Sequence, residues 1–383
     1  VIYLNFELSE DELALQSMFR DFADKEIRPI AYEMDKNEIF PMEVKEKMAE
    51  AGFMGLITPE EYGGSGSSYM DYTLLVSEIA KASPAIALIV SGSNCNMCFP
   101  VLYSGTEEQK KKYVTPMAKG EINGAFCLTE PGSGSDAGGM RTKAVCKGDH
   151  YVVNGSKTFI TNASVSEYFI TFVLTEGPTD EKEYSAFIIE KSFPGFSVGK
   201  HEEKMGTRGS DLCEIVFEDL IVPAENLLGK RGDGLKIALS TLDAGRLGIA
   251  ALSVGLAQEA IDITVKYTSE RMQFGKRISQ FQNTQFVLAE LQTQVNAARL
   301  LTYNAAWAMD AGQPATQLAS MAKLYASDVV NNCARKCLQL FGGYGYIKEY
   351  PIERIYRDAK ITEIFEGTSE IQKTVIARSM GVR

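Results

Sequence analysis

A chain of 383 residues is too long for one compact core and implies two or three domains or layers. Hydrophobic residues make up 45% and charged residues 23%, as in ordinary globular proteins, and a formal net charge of −11 argues against the basic face that nucleic acid requires. No apolar run approaches the roughly 20 residues that cross a bilayer, so membrane insertion is not expected.

The first nine residues are mixed and acidic, unlike the basic-then-apolar order of a leader. Ser9-Glu10-Asp11-Glu12 reads as a capping box ahead of a helix predicted over 13–30. A second helix is predicted over 41–51, stopped by Gly52. After a loop at Gly63-Gly64-Ser65-Gly66, helical pattern returns over 71–81 and 85–102. Thr106-Glu107-Glu108-Gln109 is a further capping box, opening a helix towards Met117. Near Gly120 the character changes to short β-rich runs at 151–153, 158–161, 168–174, 186–189 and 212–217. Asn154-Gly155 reads as a turn between the first two. Long helical stretches follow over 235–271, 284–311 and 314–341, with a last helix after Thr368. The order defines an α+β chain in three parts: helical over 1–120, β over 121–234 and helical over 235–383.

The seven cysteines, Cys95, Cys98, Cys127, Cys146, Cys213, Cys333 and Cys337, are odd in number and scattered among apolar neighbours. That pattern reads as buried free thiols in a reducing compartment. Cys95 and Cys98 form one C-x-x-C, but there is no second, and His150 and His201 are the only histidines, so no metal site is expected. Neither a G-x-G-x-x-G after a strand nor a P-loop is present. Gly132-Ser133-Gly134-Ser135-Asp136 fails to complete a nucleophile elbow.

Four segments carry chemistry when taken together. Ala125 to Asp136 (AFCLTEPGSGSD) is followed by Phe159-Ile160-Thr161-Asn162; then come Arg271-Met272-Gln273-Phe274-Gly275 and Gln339-Leu340-Phe341-Gly342-Gly343-Tyr344-Gly345. The fourth is Arg357-Asp358-Ala359-Lys360-Ile361, running into Phe365-Glu366-Gly367-Thr368-Ser369-Glu370-Ile371-Gln372. In this order and spacing, over essentially the whole chain, they resemble the acyl-CoA dehydrogenases, most closely the bacterial short-chain or butyryl-CoA branch.

That resemblance implies an N-terminal helical domain, a middle β-barrel-like domain and a C-terminal four-helix bundle, with FAD between the last two. It places Phe126, Leu128, Thr129, Ser135, Phe159, Ile160 and Thr161 along the flavin. Arg271 and Gln282 would reach the FAD of a neighbouring subunit, Phe274 would bind the cofactor too, and Gln339, Gly342 and Gly343 would lie against its adenosine diphosphate part. Thr368 and Glu370 complete the cofactor set. Ser135, Asp243, Arg246 and Gly367 would hold the acyl-CoA. Glu366 occupies the position of the base that takes the α-proton, while the β-hydride passes to flavin N5. Each residue also has a plain structural reading: sheet packing for the β residues, a helix end for Arg271, a helix C-cap for the paired glycines and an ion pair for Asp243 with Arg246.

Where some relatives carry the base on the helix just before the arginine, this chain has Gly245, which favours the straight-chain branch. Residues 91–104, expected to line the acyl pocket, contain no Arg, Lys, Asp or Glu, which disfavours a dicarboxylate substrate. The resemblance further implies electron-transferring flavoprotein as partner, a homo-oligomer such as a tetramer, and a bacterial cytoplasm or a mitochondrial matrix. An enoyl-CoA reductase acting on an aryl or cyclic group, an acyl-CoA oxidase, and an inactive acyl-CoA- and FAD-binding scaffold are the competing readings.

Overall fold

The computed structural model describes residues 7–176 and 182–382; positions 1–6, on which the reading of the amino terminus mostly rests, lie outside the described residues. Ser9 caps the helix Glu10–Phe22 in a reciprocal box with Glu12, and Thr106 does the same with Gln109. The helix Met42–Glu50 ends ahead of Gly52, whose φ is +77°.

The stretch predicted as one helix over 13–30 is instead Glu10–Phe22, a π-helical turn Ala23–Ile27 and a separate helix Ala31–Asn37. The stretch predicted over 85–102 is likewise divided into Pro84–Ser91, a π-helical segment Gly92–Cys98 and Phe99–Ser104. Polar side chains account for the second interruption. Ser93 Oγ donates to Met54 O at 2.6 Å, and Asn94 Nδ2 donates to both Phe53 O (2.9 Å) and Val90 O (3.0 Å). These bonds tie the segment to the neighbouring turn at a place where helical periodicity alone would continue.

Pro84–Ser104 and Gly234–Glu270 are long and apolar enough by composition to cross a membrane, contrary to the sequence expectation. Both are mostly buried within the protein. The longer one packs against Tyr69–Ala82, Gln282–Asp310 and Thr316–Phe341. An all-round apolar helix is what such central packing demands.

The middle strands are β1 Gly124–Cys127, β2 Lys143–Cys146, β3 His150–Thr161, β4 Tyr168–Glu176, β5 Lys182–Glu190, β6 Phe196–His201, β7 Leu212–Pro223 and β8 Leu227–Leu228. They form one sheet in the order β6-β7-β3-β2-β4-β5-β8, with β1 pairing parallel to β4. Apolar clusters cover both faces, one around Tyr168 and Phe172, the other around Phe169 and Phe187, as the period of two along β4 and β5 requires.

Asn154-Gly155 is not a turn. It lies inside the continuous strand β3, at a bulge against β7. Asn154 exchanges two hydrogen bonds with Asp219, donating from Nδ2 to Oδ1 (3.0 Å) and accepting from its backbone N–H (2.8 Å). Gly155 has φ +141°, and a Cβ there would sit 2.6 Å from Thr142 Oγ1. A cross-strand partner thus captures the turn-forming dipeptide as a bulge.

After β8 come Gly234–Glu270, Gln282–Asp310, Thr316–Phe341 and Ser369–Ser379, close to the helices predicted from periodicity. The helix Ile352–Ala359 joins the three parts. Arg357 Nη1 and Nη2 donate to Asp35 (3.0 and 2.7 Å), Nε donates to Glu353 (2.8 Å) and Nη1 also reaches Met205 O (3.1 Å). Asp358, buried, accepts from Thr207 N at 2.6 Å, and burial raises its pKa to about 6. Arg357→Leu strands two largely buried carboxylates and is expected to cost about 3 kcal/mol. Thermal unfolding of the variant checks this, and an unchanged melting temperature would show the joint to be redundant.

Candidate active site

Glu366 lies in the turn between the 3-10 segment Lys360–Glu363 and the helix Ser369–Ser379. Its φ is +52° and that of Gly367 is +87°. A side-chain-bearing residue there stores on the order of 1–3 kcal/mol of strain, so the surroundings must hold it. Gln372 Nε2 donates to Glu366 O (3.1 Å) and Gly367 O (2.8 Å), and Lys323 Nζ donates to Gly367 O (2.8 Å). Thr368 Oγ1 caps the helix by accepting from Ile371 N.

The carboxylate faces inward. Asn96 Nδ2, on the π-helical segment, donates to Glu366 Oε1 at 2.6 Å. Glu366 Oε2 is shut off from solvent and has no hydrogen-bond partner, although the residue as a whole is only half-buried. Burial pushes the Glu366 pKa up, and the Asn96 bond and the charges of Arg246 and Lys323 offset only part of this. Lys323 is fully buried, and burial lowers its pKa to about 8.

Gly245 explains the room at this point. A Cβ on it would lie 2.7 Å from Glu366 Oε2 and 3.1 Å from Asn96 Oδ1. From the next residue, Arg246 Nη1 donates to Asp243 Oδ1 at 2.7 Å, and Thr316 Oγ1 donates to Asp243 Oδ2 at 2.6 Å. The ion-pair reading of Asp243 with Arg246 therefore holds, yet Arg246 Nε remains buried without a partner. Gly245→Ala is expected to displace the carboxylate and slow turnover by about tenfold or more with little loss of stability, because the collision is with the ends of side chains. Steady-state rates and melting curves of the variant decide it.

The residues placed on the flavin by resemblance fall into two groups. In the first, Phe126 lies in β1, with Leu128 and Thr129 just after it. Thr158 N donates to Thr129 O (2.9 Å), and Lys157 Nζ donates to Leu128 O (3.1 Å) and to Glu130 Oε1 (2.8 Å). Glu130 also accepts from the backbone N–H of Arg141 (2.6 Å) and Thr142 (3.0 Å). Phe159 is thrown out of the ladder by a register shift, with φ +57° and the residue 59% exposed, while Ile160 and Thr161 return to pair with Cys213 and Leu212. Ser135 is exposed in the loop beyond.

In the second group, the Arg271 guanidinium lies 5.2 Å from the centroid of the Tyr344 ring, and Tyr267 stacks on Phe341. Phe274, at the tip of the hairpin formed by Met272–Gln273 and Lys276–Arg277, has φ +53° and is 94% exposed. Gln282 and Gln339 are exposed near these helix ends. Gly342 has φ +61°, and a Cβ on Gly342 or Gly343 would meet nothing within 4 Å. Thr368 and Glu370 lie at the start of the last helix. Phe159, Phe274 and Glu366 are three of the seven described non-glycine residues with positive φ, so backbone strain gathers where chemistry was expected.

The donor types fit a flavin dinucleotide: hydroxyls and peptide edges beside an exposed ring in one group, a guanidinium beside open glycine backbone in the other. Asn96, Lys323, Gln372 and the buried Lys157–Glu130 pair were missed by sequence reasoning. Lone polar residues at apolar helical positions, Lys323 above all, were the available signal. Among the described residues His201, Asp211 and Cys213 bring possible metal-ligating atoms within 4.8 Å of one another, a cluster the sequence did not suggest. The Cys213 thiol there donates to Asp211 Oδ2 at 3.2 Å.

Comparison with known proteins agrees along the whole chain. The acyl-CoA dehydrogenase N-terminal domain matches residues 9–121, the middle domain 125–220 and the C-terminal domain 232–381. The chain belongs to the acyl-CoA dehydrogenase family. It is 48% identical to a short-chain specific acyl-CoA dehydrogenase of Clostridium acetobutylicum, over 98% of this chain and 99% of the relative. It is 46% identical to a caffeyl-CoA reductase–Etf complex subunit of Acetobacterium woodii, over 96% and 98%. The solved structure of butyryl-CoA dehydrogenase from Megasphaera elsdenii superposes with a TM-score of 0.94 at 41% identity, covering 98% of this chain and all of that one.

Proposed function

We propose that this chain converts a short-chain acyl-CoA to the trans-2-enoyl-CoA, with Glu366 as the base. The observation that carries the reading is the Glu366 carboxylate, buried, with one oxygen anchored and the other free. A C–H beside a thioester carbonyl is weakly acidic, so the base needs a raised pKa and the developing oxyanion needs a donor. Glu366 Oε2 takes the α-proton, and its own backbone N–H donates to the thioester oxygen. Gly367 leaves space for the thioester, and Asp243, Arg246 and Ser135 hold the CoA part. When bound, FAD would supply the acceptor for the β-hydride, and the electron pair left at Cα by the departing proton closes the new double bond. Phe126, Leu128, Thr129, Phe159, Ile160 and Thr161 would hold its ring, and Arg271, Phe274, Gln282, Gln339, Gly342 and Gly343 of a second copy would hold its dinucleotide end.

A site shared between copies requires at least a dimer, and a homotetramer is proposed. Electron-transferring flavoprotein is the proposed acceptor, supported by the relative that works as part of an Etf complex. The free cysteines and the clostridial relatives favour a bacterial cytoplasm. The polar Asn96 against the Glu366 carboxylate, together with the reductase relative, favours enoyl-CoA reduction on an unusual acyl group as the second reading.

Anaerobic bleaching of the flavin by a series of acyl-CoAs tests the substrate. Butyryl-CoA should bleach fastest; bleaching only by aryl or cyclic thioesters would overturn the short-chain assignment, and reoxidation by enoyl-CoA alone would favour the reductase. For the cofactor, Gly342→Val puts a branched side chain at a left-handed position and into the space the dinucleotide needs. The variant should purify with well under half the visible flavin absorbance of the native protein, and full flavin content would remove Gly342 from the site.

A further inference from the structure

We propose that Asn96 is the positioning residue of the base: its amide anchors Glu366 Oε1 so that Oε2 alone is presented to the substrate α-proton. This rests on Glu366 being the base, and goes beyond that reading by assigning a residue from a segment 270 positions away.

Three observations support it. The Asn96 Nδ2 to Glu366 Oε1 distance of 2.6 Å is short for a nitrogen donor, as a bond to an ionised carboxylate should be. Asn96 Oδ1 is sealed from solvent without a partner, so this amide leaves a buried acceptor unmatched while it donates to the carboxylate. That arrangement is unfavourable unless the donor end is used. Finally, Asn96 sits on the π-helical segment Gly92–Cys98, whose register is held by Ser93 and Asn94 against the carbonyls of Met54 and Phe53. The insertion and its ties fix where Asn96 points.

Other groups act on the same carboxylate from each packed element. Arg246 comes from the helix Gly234–Glu270 and Lys323 from Thr316–Phe341; Tyr72 comes from Tyr69–Ala82, and Cys95 adjoins Asn96. Burial raises the Tyr72 pKa well above its ordinary value and that of Cys95 to about 12, so both stay neutral in the working range. Lys323 titrates near 8. The Asn96 contribution is therefore read on the acid side of the Lys323 titration, where Lys323 keeps its charge.

The hydrogen bond favours the ionised carboxylate, so its loss must move ionisation to higher pH. The test is the pH profile of anaerobic flavin bleaching by butyryl-CoA in the flavin-loaded enzyme, for the native protein, Asn96→Leu and Asn96→Ser. A second readout is the pH dependence of the long-wavelength absorbance with 3-thiabutyryl-CoA. That compound can lose an α-proton to Glu366, leaving the electron pair as an enolate, but has no β-hydride to give. Both variants should shift both midpoints to higher pH, with bleaching about tenfold slower at a pH below both midpoints and CoA affinity little changed. Midpoints that coincide with the native ones in either variant that folds and holds flavin would overturn the proposal. In contrast, a Glu366→Gln protein that bleaches like the native one would sink the base assignment itself, so the two failures are distinguishable.

Discussion

Glu366→Gln is expected to fold, bind flavin and stay yellow in the presence of butyryl-CoA, its bleaching slowed by about 10³–10⁴-fold. The amide has the shape of the carboxylic acid but cannot take a proton at neutral pH. In the described site the short bond to Asn96 changes character and the charge interactions with Arg246 and Lys323 are lost. Stability should not fall with activity. The Glu366 pKa is raised in the folded protein, the reverse of the usual carboxylate case. Such a group costs stability above its unfolded pKa, once the unfolded chain ionises more readily than the native one, and costs nothing below it. The Gln variant should therefore melt at the same temperature or higher than the native protein at neutral pH, and the difference should vanish in acid. Bleaching within tenfold of the native rate would remove Glu366 from the role of base.

Lys157→Met is expected to have the largest effect on stability. Lys157 and Glu130 are both buried, and their ion pair of 2.8 Å holds the segment after β1 onto β3. Burial pulls the Lys157 pKa down and pushes that of Glu130 up, but for Glu130 the ammonium and two backbone N–H donors prevail and its pKa is lowered. Removing the ammonium strands a buried carboxylate and is expected to cost about 3–5 kcal/mol. The Leu128 carbonyl loses its donor in the same step, so flavin content should fall with the melting temperature. Adding Glu130→Gln should restore much of the stability, because the stranded charge is then gone. The sign of the pH effect follows from Glu130: its depressed pKa stabilises the native state above its unfolded value, and this is lost as pH falls through the folded value. The double variant should lack that part of the acid sensitivity. A single variant as stable as the native protein would show that the pair is not what holds the segment.

Much of this architecture was legible locally. Ser9 with Glu12, and Thr106 with Gln109, close capping boxes across three residues, and nothing distant is needed to form them. The long helices of the C-terminal part follow from apolar periodicity sustained over many turns. The Glu366-Gly367 turn, with both residues at positive φ, is a local conformation, and the motif around it marked the place. Asn154-Gly155 shows where local reading fails: the same dipeptide makes a turn or a bulge, and Asp219, 65 residues away, selects the bulge.

By itself the sequence determined the order of helices, sheet and helices, the capped helix starts, the family and the identity of the candidate base. Tertiary structure alone decided what surrounds that base. Asn96, Gly245, Arg246 and Lys323 meet Glu366 from three different helical segments, and Lys157 meets Glu130 across 27 residues. The physical reason is range. A cap or a helical repeat is settled by neighbours within a turn or two, whereas a buried carboxylate takes its protonation and aim from whichever groups the packed core brings beside it.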